Sequence, residues 1–350
     1  MENKQLPVHE PLIKGFLFFA YPLSIIGADE KTHPWILSNF IQTCFDKDFA
    51  KSPVPFTFYS YDFTMSPWLK YEKMQRKTVD HLSKDIMNFI KSCIDNNKYV
   101  HLYLDEYHVP NRVNFNKLNF THENLIYGYD DMKRTFTILG FNENMIFKST
   151  IISYDQFLKA YLGVTSLIES KILNQELHPN SIDIFNTINT FEFNNDGNYS
   201  FNKKLVLESL KDYKEGNNTS ERFEMIREPW DRAYGMDCYK HFINYFEMLL
   251  NNEAFYDIRF LHNLWEHKLL MSKRVDFMQK NNYINLEPDT IKKFETIEKK
   301  VLSLRNTMIK YFMTNNRSEI ELILSTLPKI AELDGHLTNI LIESLSEFSS

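Results

Sequence analysis

His122 stands just before the run Asn124-Leu125-Ile126-Tyr127-Gly128-Tyr129, and the acidic pair Asp105-Glu106 closes the run Tyr99–Leu104. An imidazole titrates near neutral pH, so it can take up and return a proton during a reaction. Asn142 follows a third apolar run that ends at Leu139-Gly140-Phe141, where its amide could hold such a ring. A thiolate within reach would complete a nucleophilic site, which needs an attacking group, a base and a third group that orients the base. The chain has three cysteines, Cys44, Cys93 and Cys238, far apart and in no zinc-binding spacing. His262, Glu266 and His267 form another set. Only the first two share a helix face, which falls short of a zinc-protease pattern, and a surface helix is expected there.

The elements that must position these groups are read from periodicity. Tyr99–Leu104 alternates as a strand, Pro110 and Asn111 break the loop after it, and Asn124–Tyr129 is a second strand. Asp130-Asp131-Met132-Lys133 makes a turn, with both carboxylates expected in solvent, and Arg134–Gly140 returns as a third strand. The result is a hairpin with His122 at its entrance. Phe16–Ile26 reads as a strand kinked at Pro22, and a helix starts at Pro34. Trp68–Ile94 reads as one or two amphipathic helices, and Ser153 with Gln156 forms a capping box for Ile151–Leu162. Residues 165–198 read as strands and turns, Ser166–Ile172 among them, and Lys211–Thr219 as a surface loop. Glu221–Asp231 is dense in paired charges, with Arg227 and Trp230 kept as a possible ligand contact. From Met236 onward the pattern is helical: Cys238–Leu250, Asp257–Gln279, a new start at Pro288 running to Asn315, and Ser318–Ser346.

Composition narrows the classes. The 350 residues are 43% hydrophobic and 25% charged, as in ordinary globular domains, and suffice for two of them. Only 9 glycines and no phosphate-loop or dinucleotide fingerprint leave no cofactor expected. A net charge of −6 gives nucleic acid no electrostatic purchase. No metal is expected, the apolar run at residues 15–27 is too short to span a bilayer, and sparse unpaired cysteines fit a cytoplasmic protein.

The order Leu104-Asp105-Glu106-Tyr107-His108-Val109-Pro110, then His122, then Gly128-Tyr129-Asp130-Asp131 resembles papain-like peptidases of the bacteriocin-leader type and the butirosin-H type of acyltransferase. The likeness covers residues 95–141. It implies a papain-like fold and His122 as the general base of a Cys-His-Asp triad. It also implies acyl transfer from a carrier-protein thioester to an amine, so an acyl or peptidyl carrier protein is the expected partner. In such proteins the nucleophile opens a helix, where unpaired N–H groups and the dipole favour a thiolate. The helix start here, Thr32-His33-Pro34-Trp35, has no cysteine. Cys44 falls some three turns on, about 15 Å along a helix, and the core-thiol reading is preferred for it; Ser24 and Ser38 lack a surrounding motif. Asn142 takes the place of the triad acid. Asp105, Glu106 and Tyr107 are expected to border the substrate cleft, with a loop-capping Asp105 and a solvent-facing Glu106 as the other reading. The expected architecture is α+β: a papain-like domain with a central antiparallel sheet over residues 1–165, a connecting segment over 166–235 and a helical bundle over 236–350. The expected function is a non-catalytic or diverged relative that binds a peptide or acyl intermediate, or else an active amide synthase. A helical interaction protein with a structural N-terminal half is a third possibility.

Overall fold

The computed structural model describes residues 2–59, 63–83, 85–173, 179–222 and 228–347. The fold is mixed α and β, with antiparallel sheets and a helical C-terminal part. It divides into two compact units, Met1–Glu30 with Phe63–Asn198, and Lys31–Asp62 with Tyr199–Ser350. This differs from the expected division at residues 165 and 235. Residues 31–62 belong with the C-terminal helices, and a strand beyond residue 165 belongs with the N-terminal sheet.

In chain order the first stretch forms β1 (Asn3–Gln5), α1 (Leu17–Ile26), α2 (His33–Ser38), β2 (Thr43–Asp46) and β3 (Phe56–Phe58). Next come β4 (Leu69–Gln75), α3 (Arg76–Ser83), α4 (Ile86–Asp95), β5 (Lys98–Asp105), β6 (Thr121–Asp130), β7 (Thr135–Phe141) and β8 (Phe147–Ser153). Then follow α5 (Tyr154–Leu173), α6 (Pro179–Phe185), β9 (Thr187–Phe193), α7 (Lys203–Glu215) and β10 (Arg232–Tyr234). Four helices complete the chain: α8 (Cys238–Leu250), α9 (Arg259–Lys280), α10 (Pro288–Thr314) and α11 (Arg317–Glu347).

The first unit is built on a seven-stranded antiparallel sheet, ordered β4-β9-β5-β6-β7-β8, with β1 pairing the far half of β6. The predicted hairpin forms: Tyr129 pairs with Phe136 and Ile126 with Ile138, and Asp130 Oδ1 accepts the Lys133 amide at 3.0 Å. Asp131 is not merely solvated, since it accepts from the Tyr154 hydroxyl at 2.7 Å and from Lys91 at 3.1 Å. The capping box forms as read, with the Gln156 amide on Ser153 Oγ at 3.2 Å and the Ser153 amide on Gln156 Oε1 at 3.1 Å.

Three expectations for this unit are overturned. Phe16–Ile26 is not a strand, because α1 is helical and every residue in it except Phe18 is buried. A helix buried all round shows no 3.6-residue stripe, so periodicity cannot tell it from a core strand. Trp68–Ile94 is not a continuous helical stretch, because β4 takes its first turns and pairs with β9 from Leu69 against Phe193 to Gln75 against Thr187. Ser166–Ile172, expected to pair as strand, lies inside α5.

α5 and α1 cover opposite faces of the sheet. Phe136 meets Tyr154 and Phe157 of α5 at ring distances of 4.7 and 5.0 Å. Tyr21 of α1 meets His101 at 5.6 Å and Phe147 at 6.1 Å. His101 is level with Leu125, which is level with Leu139. Leu139 stands three residues from Phe136 along β7, and side chains alternate across a strand. The α1 face therefore carries His101, Leu125 and Leu139, and the α5 face carries Phe136.

The second unit is helical around a three-stranded sheet, β10-β2-β3. Phe45 lies at its centre, against Phe242 and Phe260 at 5.3 Å each. The amphipathic spacing read from Met236 onward gives α8 to α11 as expected, with Pro288 opening α10. The helix expected to run from Pro34 through Cys44 stops at Ser38, where the chain bends at Phe40 into a left-handed backbone (φ 54°). Fully buried Arg274 holds that bend by donating to the carbonyls of Leu37 at 2.7 Å and Asn39 at 2.6 Å. Lys211–Thr219 is not all loop either. α7 runs to Glu215 and ends on Gly216, whose φ of 67° suits a residue without a Cβ.

Candidate functional site

β5 ends at Asp105, a single 3-10 turn follows over Glu106–His108, and the loop returns to β6 at Thr121. Asp105 Oδ1 ties both ends of that loop, accepting the amides of Tyr107 at 3.1 Å and Phe120 at 3.0 Å. The Glu106 amide donates to the Phe120 carbonyl at 2.8 Å. The Glu106 side chain then lies buried beside the entrance of β6. Its Oε1 is 2.6 Å from His122 Nδ1, and its Oε2 accepts the Asn114 side-chain amide at 2.7 Å. Burial pushes the Glu106 carboxyl up, but the His122 hydrogen bond and charge, with Asn114 and Arg112, outweigh it and hold the group below the usual carboxylate range. The carboxylate fixes the proton on Nδ1, and among the described residues no hydrogen bond engages Nε2. With 37% of its side chain exposed, His122 has the geometry of a proton acceptor open to a ligand.

The Glu106 pairing carries a pH signature. A carboxylate whose folded pKa is depressed contributes stability that is whole above its unfolded value, near 4.5, and is lost as pH falls through the lower folded value. The stability gap between the native protein and Glu106→Gln is therefore expected to shrink as pH drops from about 5 to about 3. Urea midpoints measured across that range check it, and a gap that grows on acidification would refute it.

The other expected site residues fall differently. Asp105 caps the loop, as in the second reading of it, and its Oδ2 is buried without a hydrogen-bond partner. Glu106 is not solvent-facing: 5% of it is exposed, and it takes the orienting role assigned to Asn142. Tyr107 is half-buried and packs its ring 5.0 Å from His108. Asn142 is buried at the turn after β7, where Oδ1 accepts the amides of Asn144 at 3.0 Å and Ile146 at 2.8 Å. It closes the β7–β8 connection instead of holding the imidazole.

Cys44 belongs to the second unit, on β2 and not on a helix, with no exposed surface. Burial pushes its thiol up to about 11, against the pull of Arg232. Cys93 on α4 is likewise raised by burial to about 11, and Cys238 is raised further, chiefly by burial. Residues that open α1, Leu17-Phe18-Phe19, offer no thiol or hydroxyl.

His122 is also on the face away from α1. It stands three residues before Leu125 on β6, within a regular stretch of the ladder, so the two point to opposite faces. The face toward α1 carries a second imidazole–carboxylate pair. His101 Nδ1 accepts from Asn189 Nδ2 at 2.8 Å, Asn189 Oδ1 accepts from the Tyr71 hydroxyl at 2.8 Å, and Glu123 Oε1 accepts from the Tyr103 hydroxyl at 3.1 Å. His101 Nε2 is 3.5 Å from Glu123 Oε2. Burial raises the Glu123 carboxyl, but His101 outweighs it and the group stays below its ordinary range. Asn189 holds Nδ1 and the Glu123 carboxylate faces Nε2 at ion-pair distance, without a hydrogen bond, which makes His101 a structural cross-brace over β4, β9, β5 and β6. Sequence alone put His101 on a strand, yet its partner Asn189 lies 88 residues away and carries no local signal.

No family model matches this chain. No curated protein sequence matches it either. Among the described residues no group of three His, Cys, Asp or Glu side chains is placed to hold a metal ion, and no helix is long and apolar enough to cross a membrane. The His262 set is part of the core and not of a surface helix. Glu266 and His267 are fully buried, Glu266 Oε1 meets His262 Nε2 at 2.9 Å, and His267 Nε2 meets the Ile41 carbonyl at 2.7 Å. Arg227 lies outside the described residues, while Trp230 is half-exposed and stacks edge-on with Tyr59 at 5.7 Å.

The loop is further pinned by buried Arg112, which donates to Asn124 Oδ1 at 3.0 Å and to the carbonyls of Leu139 at 3.3 Å and Phe141. Gly140 lets it lie there: a Cβ at that position, where φ is 155°, would meet the guanidinium at 2.6–2.9 Å. Gly140→Ala is expected to cost about 1–3 kcal/mol. Chemical denaturation would show it, and a neutral substitution would mean that the Arg112 clamp is not tight.

Proposed function

We propose that this is a diverged papain-like protein of a carrier-protein-dependent pathway, which binds an acyl or peptidyl intermediate without forming a covalent bond to it. The observation that carries the reading is the pairing of an open, carboxylate-held His122 with three sealed thiols. The hairpin at the expected position supports the kinship. The helix start expected to carry the nucleophile, Thr32-His33-Pro34-Trp35, has no cysteine, and His122 lies on the sheet face away from α1; both support a reading without a covalent step. Val113, Leu118 and Phe120 expose apolar surface on the loop beside His122, which suits an acyl chain.

A second reading is favoured by the 2.6 Å Glu106–His122 contact. A histidine so held could act as base while an amine attacks the thioester directly. The amine proton would pass to Nε2, the C–N bond would form, and the departing thiolate would take the proton as the C–S bond breaks.

The test is titration of an octanoyl-pantetheine thioester, followed by NMR, with mass spectrometry of the protein and product analysis after adding an amine. Saturable binding lost in His122→Ala, with no acylated protein, is the expected result. Amide formation that needs His122 selects the second reading. An acyl-cysteine adduct, or binding indifferent to His122→Ala, overturns the proposal.

A further inference from the structure

In the second unit, α9 and α10 hold a guanidinium that no acid meets directly. Arg305 Nε donates to His262 Nδ1 at 2.9 Å, and Nη1 donates to Asn306 Oδ1 at 3.2 Å. Among the described residues no carboxylate lies within ion-pair distance of Arg305, and Nη2 makes no hydrogen bond. The carboxylate that acts on it, Glu266, is fully buried behind His262 and takes His262 Nε2 at 2.9 Å. Burial pulls the Arg305 pKa below its usual value, against Tyr256 and Glu266. Two neighbouring acids are engaged elsewhere. Asp257 takes three hydrogen bonds from Arg259, at 2.7, 3.0 and 3.1 Å, and Glu298 takes Trp265 Nε1 at 2.7 Å. Because His262 accepts at Nδ1, its proton sits on Nε2, toward Glu266. That relay fixes the orientation of the guanidinium.

Aromatic surface runs on from this group. Arg305 lies 5.8 Å from the centre of the Trp265 ring. Tyr256 packs its ring on Phe312 at 4.6 Å, and Phe312 follows Arg305 by seven residues on α10. Seven residues make nearly two whole turns, so the two side chains share a face about 10 Å apart. Phe312 is 67% exposed, and Phe255, the chain neighbour of Tyr256, is 93% exposed. Arginine and aromatic residues are enriched where proteins meet and carry much of the binding energy there. A guanidinium already held in place loses little freedom on meeting a carboxylate.

We infer that this strip docks a segment of another protein, which offers a carboxylate to Arg305 and a large apolar side chain to Phe312. The charge on Arg305 selects the acid, and the length of the strip sets the spacing. A span of about 10 Å puts the two partner residues three apart in an extended segment, or seven apart in a helix. The site belongs to the second unit and does not involve His122.

The test pans a phage-displayed library of random dodecapeptides on the full chain and titrates the resynthesised hits by calorimetry. The strongest binders should carry Asp or Glu with a large apolar residue at one of those two spacings. Replacing that acid by its amide should weaken binding about tenfold or more, a change that leaves the protein untouched. Arg305→Gln should weaken the acidic peptide to the same degree and leave the amide peptide unaffected, since a double-mutant cycle couples only groups that meet. Phe312→Ser should also weaken the acidic peptide, and His122→Ala should not. The inference is overturned if no peptide is enriched, or if the hits lack an acid at those spacings. It is equally overturned if the losses from the peptide amide and from Arg305→Gln simply add.

Discussion

Lys268→Met is expected to lower the stability of the second unit by roughly 3–5 kcal/mol, and Asp334→Leu by a similar amount. The two side chains are 2% and 3% exposed, and Nζ lies 2.5 Å from Asp334 Oδ2. That oxygen also accepts the hydroxyls of Tyr213 at 2.6 Å and Tyr239 at 3.1 Å. Removing the lysine leaves a buried carboxylate with two neutral donors and no countercharge. Removing the aspartate leaves an ammonium with the Tyr213 hydroxyl at 2.8 Å and two ring faces at 5.0 and 5.7 Å. Burial already pulls the Lys268 pKa below its usual value, and Asp334 is what opposes that pull. The double variant Lys268→Met with Asp334→Leu should recover most of either loss, because an apolar pair carries no desolvation penalty. Guanidinium unfolding followed by tryptophan emission would measure all three. Losses under about 1 kcal/mol for both single variants would show the pair to be solvated.

The second large effect is chemical inertness. A thiol raised from about 9 to about 11 has about 100-fold less thiolate at neutral pH than an unperturbed one. Cys44 and Cys93 are expected to react with iodoacetamide about 100-fold more slowly than a small free thiol, and Cys238 no faster. Added denaturant should raise all three rates together. Mass spectrometry of peptides after timed quenching resolves each site. One cysteine labelled at the rate of free thiol in the native protein would mean that an activated nucleophile exists, and the non-covalent reading would fall.

Local chemistry in this chain was legible, and distant pairing was not. The β6–β7 hairpin could be read because alternating apolar runs flank Asp130 and Asp131. The same holds for the Ser153–Gln156 cap and for α8 to α11, whose apolar stripes repeat at helical spacing. α1 defeated the same method because it has no polar face. β4 was hidden because Tyr71 and Lys73 owe their conformation to β9, more than a hundred residues on. At the site, His122 was marked by its neighbours, but the group that holds it was misassigned. Sequence order favoured Asn142 after the third strand, whereas the loop folds Glu106 back onto the ring. What decides between them is the path of residues 106–120, which hydrogen bonds of Asp105, Arg112 and Asn114 pin.

The interleaving of the two units has a consequence for synthesis. As the nascent chain leaves the ribosome, Lys31–Asp62 emerges early, yet β2 must wait for Arg232, 188 residues behind Cys44, before its neighbour β10 exists. The N-terminal sheet must likewise wait for β9, which fills the slot between β4 and β5. Any product that terminates near residue 165 would present two unpaired strand edges to other chains, an invitation to aggregate. Translation through residue 198 is thus the earliest point at which the first unit can close, and a chaperone that shields those edges has its task defined by the order of the strands.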